Sequence, residues 1–317
     1  MHFAFSDDQL EMRDLTRAAL GRVCGPDVVR AAWEARPAGL WASLAELGLT
    51  GASASEDAGG LGLGAVDWVL LLEEAGRAAV PAPLIEAVAA VPFLEAAGHS
   101  DLAERVALGE ATVALSLGGL ALDADIADAV LRVEGGVVQL VSSPTLTAQP
   151  AVDGARRLFS VAGAGEPLAG DAAALLQRAT LATSAQLVGL GRQVLDQAVA
   201  YAGQREQFRK PIGSFQAVQH HLVDAALRLQ FAAPVVHRAA WSIDEGDPDA
   251  GVHVSMAWLY AAEAARLACR KSLQVHGAIG YTFELDLHLW MKRIWSLAVW
   301  GEGADHRERV AAAVLGD

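Results

Sequence analysis

Four long helical segments in the second half of the sequence limit the folds that this chain can adopt. The first covers about residues 171–203, is rich in Ala and Leu, and contains no proline. Three more follow over about residues 214–244, 249–275 and 285–300, with Pro or Gly near their borders. Consecutive long helices with short connections pack as antiparallel neighbours. The sequence therefore predicts a four-helix bundle within residues 171–317.

The first 108 residues predict a second helical region. Ser6 and Gln9 have the spacing of a capping box, in which each side chain hydrogen-bonds the backbone of the other. We therefore expect a helix over residues 6–22. The spacing of apolar residues predicts further helices over about residues 39–48, 65–78 and 82–97.

The stretch between these two regions has the pattern of a small β-sheet. Gly135 and Gly136 separate two strand-like runs and predict the turn of a hairpin. The strands are expected over residues 112–117, 130–134, 137–141 and 157–161. The predicted fold class is mainly α with a small β insert, and the predicted domains are residues 1–108, 109–170 and 171–317.

Charge and composition exclude several classes of protein. Asp and Glu total 38 against 24 Lys and Arg, which gives a formal net charge of −14. This charge argues against a broad basic face for nucleic acid and against docking on anionic membranes. Residues 1–8 lack the basic start of a secretory signal, and no apolar run has membrane-spanning length. Cys24 and Cys269 are too few for a disulfide framework, so we expect a cytoplasmic protein.

Three closely spaced cations, Arg205, Arg209 and Lys210, lie between the first two helices of the predicted bundle. The plainest interpretation is a turn between helices, because Pro and Gly interrupt the segment. The same cations could bind a pyrophosphate, because the guanidinium fork matches phosphate oxygens. The residues alone favour the plain turn.

A second segment, residues 274–282, contains Gly277 and Gly280, which let a backbone approach a ligand closely. It matches neither the dinucleotide-binding glycine pattern nor the P-loop. Glu284 and His288 share a face of the last predicted bundle helix, and an ion pair is expected there rather than a metal site. We expect no metal site elsewhere, since the adjacent His220 and His221 diverge around their helix.

Together these segments resemble two motifs of the acyl-CoA dehydrogenase family, and the resemblance extends over the chain except part of the β insert. The first motif is matched by Arg205, Phe208, Pro211, Ile212, Gly213, Phe215, Gln216, Ala217, Val218, Gln219 and His220. The second is matched by Gln274, Gly277, Gly280, Tyr281, Thr282, Glu284, Leu287 and Arg293. Residues 5–9 and 56–62 of the N-terminal half also look like the family.

The resemblance implies an acyl-CoA dehydrogenase-like fold, with an N-terminal helical domain, a middle β-domain and a C-terminal four-helix bundle. It also implies FAD as the cofactor, bound between subunits. Arg205, Gln207 and Phe208 are then expected at the adenosine and pyrophosphate of FAD. The segment expected to reach the FAD of a neighbouring subunit consists of Gln274, Val275, His276, Gly277 and Ala278.

The family reaction removes the α-proton and the β-hydride of an acyl-CoA thioester, with a carboxylate taking the proton and flavin N5 the hydride. Such a base needs a dry pocket that raises its pKa. Alignment with the Tyr-Glu-Gly-Thr loop of the family puts Glu302 at the carboxylate, with Gly301 and Ala304 replacing the tyrosine and threonine. The alternative family position, on the first bundle helix, falls near Ala179, which cannot act. Glu302 is therefore the candidate catalytic base, and a solvated loop carboxylate is the competing interpretation.

The middle region departs most from the family. Residues 109–170 are roughly half the usual length and lack its TEPxAGSD-type strand and its Trp-Ile-Thr-type flavin motif. Arg209 and Ala278 replace glycines of the two motifs. This pattern resembles the short subunits of heteromeric bacterial acyl-CoA dehydrogenases, notably those of sterol catabolism. In those enzymes a longer partner chain supplies the full β-domain.

The resemblance leaves three functions open. The predicted one is a subunit of an FAD-dependent oxidoreductase of lipid or steroid catabolism, which desaturates an acyl-CoA. It implies an α2β2 heterotetramer with a longer homologue and an electron-transfer flavoprotein-type acceptor. The second is a non-catalytic subunit that supports the FAD site of a catalytic partner. The third is a self-sufficient homo-oligomeric dehydrogenase.

Overall fold

The computed structural model describes residues 4–300 and 306–316. It has helices in the first and last parts of the chain and a sheet between them, so the predicted fold class is confirmed. Among the described helices, none is both long and apolar enough to cross a membrane. The domain limits expected at residues 108 and 170 stay a prediction.

The helices before the sheet are α1 (Asp7–Val23), α2 (Pro26–Ala31), α3 (Leu40–Glu46), α4 (Ala65–Arg77), α5 (Leu84–Ala96) and α6 (Ser100–Ala107). The capping box at the start of α1 is confirmed: the Gln9 N–H donates to Ser6 Oγ (3.2 Å), and the Ser6 N–H donates to Gln9 Oε1 (2.8 Å). Helices α1, α3, α4 and α5 match the expected ones. The short α2 and α6 were not predicted.

A seven-stranded sheet follows these helices. Its strands are β1 (Val113–Leu117), β2 (Leu120–Leu122), β3 (Ala129–Glu134), β4 (Val137–Val141), β5 (Thr145–Gln149), β6 (Leu158–Ala162) and β7 (Glu166–Leu168). The strand order is β5-β6-β2-β1-β3-β4-β7, and only the β1–β3 pair is parallel. Gly135 and Gly136 form the predicted turn between β3 and β4, with φ of 57° and 78°. Four strands match the prediction, while β2, β5 and β7 are additional.

The rest of the chain is α7 (Ala172–Gln204), a hairpin of β8 (Glu206–Gln207) and β9 (Lys210–Pro211), α8 (Gln216–Asp244), α9 (Ala250–His276), α10 (Leu287–Leu297) and α11 (His306–Leu315). Helices α7 to α10 are the four expected bundle helices, although α10 is shorter than predicted. Helix α7 packs against both α8 and α9. This packing brings the connection after α7 next to the end of α9.

Helix α4 crosses α7 at very short range because glycines lie at the crossing. A Cβ at Gly189 would come within 1.8 Å of the Glu73 carbonyl oxygen, and one at Gly76 within 2.2 Å of the Gln186 carbonyl oxygen. A real Cβ cannot come this close to a carbonyl oxygen. The two helices can therefore approach to this distance only because both positions are glycine. The N-terminal helices are thereby fixed to the bundle.

The sheet has a buried residue set on each face. Val113 and Leu115 of β1 join a large apolar core that also includes the N-terminal helices and the bundle. Ala114, between them, belongs to a smaller cluster on the other face with Val130 and Val141. This alternation follows from the two-residue period of a strand. The small sheet is therefore stabilised by covering one face with the helical regions.

Candidate functional site

The two segments predicted to bind a cofactor meet at one end of the bundle. Tyr201 lies near the end of α7, and His276 is the last residue of α9. Their rings stack with centroids 4.6 Å apart and planes inclined by 28°. Val275 packs beside them against Ala198 and Ala202 of α7. Two segments that are far apart in the sequence therefore belong to one surface.

The first segment forms a tight hairpin, which we call the cationic hairpin (residues 205–211). Its two-residue turn is Phe208 and Arg209, between β8 and β9. Both turn residues have left-handed backbone conformations, with φ of 54° and 68°. The Ile212 N–H donates to the Arg205 carbonyl oxygen (2.8 Å) and closes the hairpin. Arg205, Gln207 and Phe208 are all exposed.

The side chains of the cationic hairpin offer positive charge and an open aromatic ring. Phe208 is 86% exposed and meets Phe215 edge-on, with centroids 6.1 Å apart. Lys210 Nζ lies 4.2 Å from the centre of the Phe215 ring, in a cation–π contact. Within residues 4–300 and 306–316, Arg205, Arg209 and Lys210 form no salt bridge. Their charges are available to an anionic ligand.

The second segment ends α9 and divides into buried and exposed residues. Gln274, Gly277 and Ala278 are exposed, whereas Val275 and His276 are buried. His276 Nδ1 donates to the Ser272 carbonyl oxygen (2.8 Å), since a carbonyl oxygen only accepts. Burial lowers the pKa of His276 more than this hydrogen bond raises it, so the ring is neutral at pH 7. A ligand on this segment would contact its exposed residues.

A cleft of about 580 Å³ lies between the sheet and the helices α7 and α10. We call it the apolar cleft, because its described lining has no charged side chain and a single hydroxyl, that of Ser296. Its walls include Leu117, Leu122, Val152, Leu176, Trp295 and Trp300. A cleft of this volume and composition suits an apolar group that is held mainly by shape.

Buried ion pairs hold one wall of the apolar cleft. Arg293 of α10 donates to Asp153 and also to the Val80 carbonyl oxygen (2.8 Å). Asp153 directly follows Val152, which lines the cleft. Since both charged side chains are almost fully buried, the removal of either would leave an uncompensated charge. The wall is therefore fixed to α10 and to the end of α4.

A second buried cluster anchors the same segment. Arg156 donates to Asp123 and to Glu86 Oε1 (2.6 Å). Burial alone would lower the pKa of Arg156, but the two carboxylates outweigh it and raise that pKa, so Arg156 stays charged. Burial raises the pKa of Glu86 despite the attraction of Arg156. These contacts tie the segment to α5 and to the β2–β3 connection.

The predicted catalytic base, Glu302, lies outside the described residues. Val299 and Trp300, just before it in the chain, line the apolar cleft. The segment that contains Glu302 is thus connected directly to the cleft wall.

The ion pair predicted between Glu284 and His288 is wrong. Glu284 precedes α10, so the two residues do not share a helical face, and no salt bridge joins them. His288 lies instead between Trp33 and Phe283, with ring centroids 5.6 Å and 4.8 Å away. Burial, followed by the charge of Lys292, lowers the pKa of His288. No group of three potential metal ligands occurs within residues 4–300 and 306–316.

The sequence did not predict the apolar cleft or the buried charges that support it. The cleft lining comes from β1, β2, β3, β6, residues 150–152, α7, α10 and residues 299–300. No local pattern links such separate pieces. One available signal was the pair of tryptophans, Trp295 and Trp300, close to the predicted base.

The described residues fit the outer part of FAD better than its ring. The cationic hairpin supplies positive charge for a diphosphate and an exposed ring, Phe208, for a planar base. The apolar cleft suits the hydrocarbon of an acyl group rather than an isoalloxazine. Its single hydroxyl leaves the polar edge of that ring with few side-chain partners from this chain.

Comparisons with known proteins identify the family and the relatives of this chain. Residues 170–315 match the family model "Acyl-CoA dehydrogenase, C-terminal domain", and residues 6–108 match "Acyl-CoA dehydrogenase, N-terminal domain". The chain is 31% identical over 294 residues to acyl-CoA dehydrogenase IpdE2 of Mycolicibacterium smegmatis, which covers 91% of this chain and 92% of the relative. It is 32% identical to IpdE2 of Mycobacterium tuberculosis, with 90% and 91% covered.

Solved structures share the fold. The ChsE4–ChsE5 complex from Mycobacterium tuberculosis contains a chain that matches with a TM-score of 0.87 at 23% identity, over all of both chains. A variant of the Tcur3481–Tcur3483 steroid ACAD matches with a TM-score of 0.85 at 23% identity, over 98% of this chain and 99% of that one. The resemblance found in the two motifs is thus confirmed.

Proposed function

Because the chain belongs to the acyl-CoA dehydrogenase family, we propose that it is one subunit of an FAD-dependent enzyme that desaturates an acyl-CoA. The reaction forms the double bond between the α and β carbons of the thioester. The single observation that carries this proposal is the surface formed by the cationic hairpin and the end of α9. It unites both predicted cofactor segments and presents positive charge on a chain with a net charge of −14.

Residues of this chain have three tasks in the proposed enzyme. Arg205, Gln207 and Phe208 hold the adenosine diphosphate part of FAD, which when bound supplies the acceptor for the substrate hydride. The exposed residues Gln274, Gly277 and Ala278 are proposed to reach the FAD of a neighbouring subunit, and the buried Val275 and His276 pack beneath them. A guanidinium suits this purpose because it offers paired, charge-assisted hydrogen bonds to phosphate oxygens.

Glu302 is the proposed base that removes the α-proton. Val299 and Trp300, which precede it in the chain, line the apolar cleft, whose aliphatic and indole walls would shield an acyl group from water. A carboxylate that reached such an apolar cleft would have a raised pKa and be a better proton acceptor. The acyl group itself would pack against the aliphatic and indole walls of the cleft.

A second chain is part of the proposal. The cleft supplies few polar side chains for a flavin ring, which supports a longer homologue as the source of the missing contacts. ChsE4–ChsE5 is a complex, and its matching chain has this fold. We therefore propose an α2β2 assembly in the cytoplasm that passes electrons to an electron-transfer flavoprotein-type acceptor. A bulky, steroid-like acyl group fits a cleft of about 580 Å³ with apolar walls.

The lack of charged side chains in the described lining of the cleft favours one alternative. In it, this chain is a non-catalytic subunit, and the partner provides both the flavin contacts and the base. The two functions differ in the role that they give to Glu302. If Glu302 is the base, its replacement abolishes turnover, whereas a supporting subunit tolerates that replacement.

The test is to purify the tagged chain with its native partners and to record the flavin spectrum, the mass in solution and acyl-CoA-dependent flavin reduction. Glu302→Gln should lower the reduction rate by a factor of about 10³ or more without loss of flavin, because the amide cannot accept the proton. Glu104→Gln, an exposed change on α6, is the matched control and should leave the rate unchanged. A normal rate in Glu302→Gln would assign the base to the partner. A flavin-free homo-oligomer that never acquires FAD would overturn the whole proposal.

A further inference from the structure

The turn of the cationic hairpin has a backbone that its residues do not favour. Phe208 and Arg209 both lie in the left-handed region, with φ of 54° and 68°. Two-residue hairpin turns of this kind are usually formed by Asn and Gly, because a Cβ at positive φ is close to its own backbone. Here both positions have large side chains. Such strain persists where something else requires the residue, and ligand-binding sites are typical places.

The same two side chains are also exposed, and the edge-on contact of Phe208 with Phe215 leaves most of the Phe208 ring open. Phe208 is 86% exposed, although a phenyl ring gains more from burial than from water. Arg209 is exposed and forms no salt bridge with any described residue. Glu206 is the one acidic residue of the hairpin, so Arg205, Arg209 and Lys210 leave it with a net positive charge.

We propose that Arg209 is a further cofactor-binding residue, whose guanidinium binds the diphosphate of FAD together with Arg205. This inference rests on the proposed function, since it concerns the same cofactor. Arg205 precedes β8 and Arg209 follows it, so both lie on one small hairpin. A guanidinium offers a planar pair of donors to phosphate oxygens, which a glycine at this turn would lack. The strained turn holds the arginine beside Phe208, whose open ring would cover the adenine.

Replacement of Arg209 by glycine should have two effects of opposite sign: it should weaken FAD binding and stabilise the FAD-free protein. Arg209→Gly removes the guanidinium and also relieves the strain, whereas Arg209→Ala removes the guanidinium and keeps the Cβ. Both variants should therefore lose FAD affinity equally. Only Arg209→Gly should make the FAD-free protein more stable, with a melting temperature higher by about 1–3 °C.

The experiment uses the assembly purified through a tag on this chain, stripped of flavin and titrated with FAD at low and high salt. Arg209→Gly and Arg209→Ala should each raise the Kd for FAD about tenfold at 50 mM NaCl, and less at 500 mM because salt screens the exposed charge. Arg209→Lys keeps the charge without the fork and should fall between these variants and the wild type. Arg22→Ala, an exposed arginine on α1, has the same net charge as Arg209→Ala and should leave the Kd unchanged.

Each remaining outcome is decisive. An unchanged Kd in both Arg209→Gly and Arg209→Ala would overturn the role of Arg209 and leave the proposed function intact, provided that the wild type binds FAD. A raised Kd in Arg209→Gly alone would assign the effect to the backbone and would also overturn the role of the Arg209 guanidinium. A wild-type assembly that takes up no FAD would overturn both the inference and the proposed function.

Discussion

Glu73 is a buried carboxylate that joins three helices. It lies on α4, accepts a hydrogen bond from His237 Nε2 of α8 (2.7 Å), and pairs with Arg192 of α7. Burial alone would raise the pKa of Glu73, but His237 and Arg192 outweigh burial and lower it below the ordinary value of 4.5. Because the pKa is lower in the folded state, Glu73 stabilises the fold above about pH 4.5. That contribution is lost as the pH falls through the folded-state pKa.

Glu73→Gln should therefore reduce the free energy of unfolding by about 2–4 kcal/mol at pH 7, since it removes one partner from a buried charged cluster. The reduction should be smaller at pH 4, where the unfolded-state carboxyl of the wild type is largely protonated. Urea unfolding at both pH values measures it, with Glu104→Gln as an exposed control within about 0.5 kcal/mol. An equal loss at the two pH values would contradict the lowered pKa.

The turn between α7 and α8 was predictable from its Pro and Gly residues. Arg205 and Phe208 are exposed on that turn, and their contact with FAD stays a prediction. His288 was not predictable, because its neighbours Trp33 and Phe283 come from separate parts of the chain. A pair of charges at helical spacing says nothing about where the helix begins.

At the scale of elements, the α4–α7 crossing depends on the absence of a side chain. Gly189→Ala would place a methyl group 1.8 Å from the Glu73 carbonyl oxygen, so the helices must separate. We expect a loss of about 3 kcal/mol or more in the free energy of unfolding. Gly21→Ala is the matched control: nothing lies within 4 Å of the added Cβ on α1. It should instead gain about 0.5–1 kcal/mol, from helix propensity. A mild effect of Gly189→Ala in urea unfolding would mean that the crossing adjusts freely.

Long elements were predicted well and short ones poorly. Helices α7, α8 and α9 each have enough turns for apolar spacing and Pro or Gly punctuation to mark them. The strands β2 and β7 have three residues each, too few for an alternating pattern to appear. Their pairing depends on neighbours across the sheet, which no local signal contains.

At the scale of the molecule, the two predicted cofactor segments meet because α7 and α9 are packed side by side. Family resemblance indicated both segments, and the Tyr201–His276 stack joins them. The apolar cleft needed the complete fold, because its walls belong to the sheet and the bundle at once. A motif within one connection is visible in the sequence, whereas a cleft between layers requires their relative placement. The cofactor role of the two segments stays a prediction.

One outer face of the bundle is apolar and supports the proposed assembly. Val223, Leu227 and Phe231 are exposed at four-residue intervals on α8, so they form a single stripe, and Tyr260 of α9 is exposed as well. Arg228 and Glu263 lie beside Phe231 and Tyr260, so the stripe has a charged border, as exposed apolar patches at protein contacts often do.

Phe231→Asp should therefore break the assembly while leaving the subunit folded, because a carboxylate in an apolar contact must lose its water without gaining a partner. Phe231 is 68% exposed, so the change removes little packing within the chain. Leu15→Asp on α1, where Leu15 is 63% exposed outside this stripe, is the matched control. Mass in solution, far-ultraviolet circular dichroism and bound FAD per chain would be compared. We expect a smaller mass and less FAD for Phe231→Asp alone, with unchanged circular dichroism. If the mass of that variant equals the wild-type mass, the stripe is not the contact, and the subunits must join through another surface.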